Sequence, residues 1–278
     1  MNVWWRAAYG AAAMGIALGS SITVSAAVDN KYLPAVVCAL IAILLIRPFR
    51  RRKELGLVAP LRGLLTGVLV TGGCAAVVFG AGTAAGWISW GRFDVRAVLL
   101  FLLTNTIIAV LLEALPEELS LRGHAWTALR SRHGGFVAAL GTTGLFLLVP
   151  GIASAVQLIL GGILDLDSQE LSLAPPGEDP VAYFVLLTIF GFTLVAARAA
   201  TGSLWASVGT HLTFLTVNRL SVQGADRDAG WSASVVNQDV LLLIPAYLIL
   251  AALVYWAGQS LMSRPALSLA SSLPQRER

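Results

Sequence analysis

A chain of 278 residues with 57% hydrophobic and only 12% charged side chains is not a soluble domain, since soluble domains carry about 25% charged residues. The net charge of +4 comes without a basic stripe interleaved with aromatics, so nucleic acid is not expected as a partner. Polar residues gather in short islands between apolar runs of roughly 20 residues, the pattern of a polytopic membrane protein embedded in a lipid bilayer.

The pattern predicts an all-α polytopic membrane protein, a bundle of about eight transmembrane helices. The expected spans are 7–28, 33–49, 61–85, 95–114, 135–162, 181–200, 203–220 and 238–258. Lipid offers the backbone no hydrogen-bond partners, so helices are the natural spanning element. In the first span, Arg6, an apolar stretch and Val24-Ser25-Ala26 mimic a signal peptide, but an uncleaved span is preferred. Cys38 and Cys74 fall inside apolar segments and read as small buried hydrophobes, not as a disulfide or metal pair. Trp87 and Trp90 suit an interfacial aromatic belt. The pairs Gly15/Gly19 and Gly82/Gly86 suit close helix packing. The fifth span contains Pro150-Gly151 and is expected to be kinked or broken.

Basic residues set the orientation. With the Arg47–Lys53 cluster in the cytoplasm, alternation puts 14 basic residues inside and 5 outside. Both termini are then cytoplasmic, the acidic loop from Asp165 to Asp179 is outside, and the membrane is a bacterial-type plasma membrane.

One stretch carries chemistry. Glu117-Glu118-Leu119-Ser120-Leu121-Arg122-Gly123 follows the apolar run from Val95 to Leu112. Ionisable groups within or at the edge of a membrane bundle point to function. On a helix, Glu118 and Arg122 are four apart and face each other, acid first. Glu117 is turned about 100° away and is left free to act. The bland alternative makes Pro116 a first helical position followed by the acids favoured in a first turn.

Glu-Glu-x-x-x-Arg-Gly after an apolar helix resembles the first motif of the CPBP family, which includes the type 2 CAAX prenyl proteases and the Abi bacteriocin-immunity membrane proteins. The stretch Thr201-Gly-Ser-Leu-Trp-Ala-Ser-Val-Gly-Thr-His211 is similar to the family's last conserved segment. The resemblance runs from about Glu54 to Leu220. It divides the chain into two N-terminal spans (1–53), a CPBP-like intramembrane protease core (54–262) and a polar cytoplasmic tail (263–278).

The resemblance implies a mechanism. A first-motif glutamate and a histidine of a Phe-x-x-x-His motif activate water. A second histidine, from a His-x-x-x-Asn motif, works with its asparagine on the oxyanion. Carried over, the catalytic set is Glu117, Glu118, Arg122 and His211. Phe146 matches the second motif, but its histidine position is Pro150. The asparagine expected four residues after His211 is Leu215. Proline and leucine have no side-chain donor or acceptor. Two deputies come into question. His124 lies seven residues after Glu117, and Asn218 seven after His211. His133, beside Arg130 and Arg132, reads as a solvated loop residue. No cofactor is expected; zinc on His211, Glu117 and Glu113 ranks last.

The readings left open are an intramembrane endopeptidase with impaired activity, cutting a peptide or membrane-protein substrate near the cytoplasmic face, and an inactive pseudoprotease that binds such a partner. A transporter ranks lower, because no matching pair of broken helices is visible.

Overall fold

The computed structural model describes residues 2–47, 53–166, 171–174 and 179–262. The polar tail, most of the Arg47–Lys53 cluster and much of the acidic loop lie outside the described residues. The described chain forms eight helices: α1 (Val3–Ala27), α2 (Leu33–Ile46), α3 (Pro60–Ala84), α4 (Val95–Arg130), α5 (Gly135–Ile163), α6 (Pro180–Thr201), α7 (Leu204–Leu220) and α8 (Leu243–Met262). They correspond one to one with the eight apolar runs.

Six of these segments are long and apolar enough to cross a membrane: α1, α3, α4, α5, α6 and the stretch Gln238–Gln259 that contains most of α8. The protein is an integral membrane protein of the all-α polytopic class. The other two helices of the expected eight are shorter. The 14 residues of α2 and the 17 of α7 reach about 21 and 26 Å, less than a hydrocarbon core of about 30 Å. Helix α7 runs inside the bundle. Ten of its residues are buried, including Ser207, Thr210, His211, Thr213 and Asn218. Polar side chains are kept away from lipid in this way.

Helix α4 is longer than the expected span 95–114. It continues 16 residues further, so Pro116 does not start a helix. Two π-helical stretches, Val110–Ala114 and Glu118–Ala125, flank the turn Leu115–Glu117. Proline has no N–H for the carbonyl four residues back, and its ring crowds that carbonyl. Here that carbonyl belongs to Leu112, and the Cys38 thiol donates to it at 3.2 Å. The buried thiol thus supplies a polar contact as well as bulk. Wide π turns relieve the remaining crowding, and such turns recur at functional sites.

Pro150 does not break α5, which is helical from Gly135 to Ile163. Helix α1 lies along α5 and against the Glu118–Ala125 turn. Its small residues allow the approach. A Cβ on Gly10 would stand 2.4 Å from the Ser120 carbonyl, and one on Gly15 would stand 2.3 Å from Ile152. Gly19 and Gly82 are equally close-packed. Gly86 is not; it sits at φ 76° in a turn.

Outside the helices, Ile88–Trp90 (β1) pairs antiparallel with Ala233–Val235 (β2), with Ile88 opposite Val235 and Trp90 opposite Ala233. The ribbon ties the α3–α4 connection to the α7–α8 connection. Trp90 stacks on Trp231 at 4.2 Å, while Trp87 remains half exposed.

Candidate active site

The turn from α6 to α7 sets the site's geometry. Gly202 ends α6 at φ 68°, a conformation glycine takes freely. Ser203 caps α7, its side chain accepting from the Trp205 N–H. The chain segment before α3 braces this turn: Leu204 N–H donates to Gly56 O at 2.8 Å, and Ser203 Oγ to Val58 O at 2.7 Å. Arg198, largely buried, donates to the carbonyls of Gly202 and Arg122. It therefore couples the α6–α7 turn to α4.

From this turn α7 carries His211 to the centre of the bundle, facing α4. The His211 Nδ1–H donates to Glu118 Oε1 at 3.0 Å. Arg122 Nη1 approaches the same oxygen at 3.4 Å, as the four-residue spacing predicts. Both Glu118 and Arg122 have fully buried side chains. The guanidinium stacks over the Phe146 ring, 4.6 Å from its centroid, and Nη2 donates to Gly191 O at 3.4 Å. Phe190 presents its edge or face to His211 in a T-shaped contact at 4.8 Å and stacks on Phe214 at 4.2 Å. Glu118 Oε2 and Arg122 Nε are buried without a hydrogen-bond partner among the described residues. Such groups cost about 1–3 kcal/mol each.

Glu117 takes the other direction. It lines a cavity of about 780 Å³, together with Glu113, Phe146, Pro150, His211 and Leu215. Glu117, His211 and Phe146 line it together, and Pro150 and Leu215 stand in the same wall. Glu118 and Arg122 lie behind that wall. None of these groups is at a helix end: Glu117 is about 33 Å from the start of α4 and about 20 Å from its end.

With Nδ1 engaged by a carboxylate, His211 has Nε2 left for the cavity. Neutral, the ring offers a lone pair there; protonated, it offers a donor.

The two deputies are held elsewhere. His124 Nε2 meets the Arg6 carbonyl at 3.0 Å, and its ring contacts Tyr9. The π-helical stretch accounts for this, because its wider turns spoil a seven-residue return to one face. Asn218 donates to Phe214 O and Tyr247 Oη at 2.8 and 2.9 Å. Glu113, the third candidate for zinc, pairs with Arg219 at 2.5 Å, and Arg219 also reaches Asn105. Among the described residues, no group of three His, Cys, Asp or Glu side chains is arranged to hold a metal ion. His133 is half buried, with its ring 5.4 Å from that of Trp4.

Residues 95–217 match the family described as Type II CAAX prenyl endopeptidase Rce1-like. This region belongs to the CPBP family of type 2 CAAX prenyl proteases. The matched region begins with α4 and ends within α7, so the CAAX-protease region contains every residue of the cavity-facing set described above. No curated protein and no solved structure matches the chain.

Sequence reasoning did not find the Glu118–His211 bond, the Phe190–Phe214 stack or the Glu113–Arg219 pair. The separation of Arg219 from Glu113 by 106 residues left no local signal for that pair.

Proposed function

We propose that this protein is an intramembrane endopeptidase of the CAAX-protease type with impaired hydrolysis. A peptide or membrane-protein segment enters the cavity, and Glu117 takes a proton from the attacking water. His211, oriented by Glu118, turns Nε2 toward the developing charge on the scissile carbonyl oxygen. The observation that carries the impairment is the wall itself: Pro150 and Leu215 line the same cavity as Glu117 and His211. Glu117 then lacks a histidine partner for proton transfer, and the oxyanion lacks an asparagine donor. A general acid or base contributes about 10²- to 10⁴-fold in rate, and an oxyanion donor about 10²- to 10³-fold. The inactive pseudoprotease is the limit of the same reading.

The test uses purified protein and a peptide substrate of the family type. Pro150→His combined with Leu215→Asn is expected to cleave faster than the native chain, and adding Glu117→Ala is expected to abolish the gain. A native chain that cleaves at a rate the double variant does not improve would sink the proposal.

Counted with all eight helices as crossings, the 14-to-5 basic asymmetry supports cytoplasmic termini and cleavage toward the cytoplasmic side. Reporter fusions after Arg52 and after Asp167 should score on opposite sides. The same side for both would reject the orientation.

A further inference from the structure

A second hollow, of about 820 Å³, lies on the flank of the bundle, away from the cavity. It runs between the end of α4, the start of α5, the second half of α6 and the middle of α8. Its rim is apolar and open: Phe136 is 75% exposed and Trp256 67%. Along α6 it extends from Ile189 to Gly202, about 20 Å. Half of a hydrocarbon core of about 30 Å, plus a headgroup layer, has that depth.

The two ends of the groove differ in chemistry. The deep end, around Ile189 and Ile249, is apolar. The other end, where α4 and α6 stop and α5 begins, carries Arg130 and Arg198, and no carboxylate lines the groove anywhere. The carbonyl ends of α4 and α6 oppose an anion here. Arg198 offsets this by donating to the Gly202 and Arg122 carbonyls. Arg130 is exposed, lies over the Trp126 ring at 5.7 Å and commits Nη1 to the His133 carbonyl at 2.9 Å. A guanidinium has five N–H donors, so others remain for a ligand.

We infer that this groove binds one anionic phospholipid. The phosphate sits at Arg130, and an acyl chain follows α6 and α8 toward Ile189 and Ile249. A zwitterionic lipid shares the apolar contact but not the net negative charge. Basic pockets between membrane helices select headgroups on this principle. The inference does not depend on whether the cavity hydrolyses anything.

Native mass spectrometry of the full chain, released from mixed micelles with equal phosphatidylglycerol and phosphatidylcholine, tests this. The native protein should retain one phosphatidylglycerol in preference to phosphatidylcholine. Arg130→Gln should lower that preference about fivefold, the worth of one cation near anionic lipid. Arg132→Gln removes the same charge outside the groove and should leave the preference intact. Ala252→Phe should fill the groove and abolish retention. Size-exclusion elution and unfolding temperature monitor folding, and if Ala252→Phe unfolds, the exposed Arg130 variant still decides. Equal retention of both lipids, or a preference that Arg130→Gln leaves unchanged, would overturn the inference. Retention of neither lipid would overturn it as well.

Discussion

Glu117 and Glu118 are neighbours in sequence and opposites in surroundings. Glu118 is sealed with Arg122 behind His211 and Phe146, which line the cavity, and its side chain has no exposed surface. Glu117 faces the cavity, whose wall includes Pro150 and Leu215. Behind the wall polar partners are supplied; in front of it two expected partners are replaced by apolar groups. The difference teaches that scaffold and chemistry are separable here. Apolar residues in a cavity wall leave the buried ion pair and the helix packing in place.

The sharpest way to break this comparison is to open the sealed side. Arg122→Ala leaves the Glu118 carboxylate buried beside His211 with its cation gone. Removing one partner of a buried pair costs about 3–5 kcal/mol. Thermal unfolding in detergent should show a large loss for Arg122→Ala and little for Glu117→Gln. Comparable losses would mean that the two glutamates share one structural role.

A smaller effect sharpens the account of why α4 carries both residues through Pro116. Cys38→Ala removes the donor to the Leu112 carbonyl and should cost about 1 kcal/mol. Cys38→Ser keeps a donor there and should recover much of the loss in the same unfolding assay. Equal behaviour of the two variants would show that the thiol acts through its bulk alone.

Much of the fold was legible because apolar runs and helices correspond one to one in this chain. The Glu118–Arg122 contact was also legible, since a four-residue spacing is local geometry. Phe146, Pro150, His211 and Leu215 could be placed in one cavity only through the family resemblance, because they come from different helices. The partner of His211 was not legible. Nothing in adjacent glutamates says which one a distant helix will meet. The π-helical turns were equally hidden, and they decide where His124 points. Hydropathy alone did not reveal that α7 is enclosed by protein.

The central claim is that Glu118 holds the site together while Glu117 is the carboxylate available for chemistry. Paired measurement of Glu117→Gln and Glu118→Gln tests it most directly, with unfolding temperature and peptide hydrolysis recorded on the same purified samples in the Pro150→His, Leu215→Asn background. The account predicts that Glu117→Gln keeps the parent's unfolding temperature and loses the hydrolysis, whereas Glu118→Gln lowers the unfolding temperature. Hydrolysis that survives Glu117→Gln, or an unfolding temperature that falls equally in both variants, would contradict it.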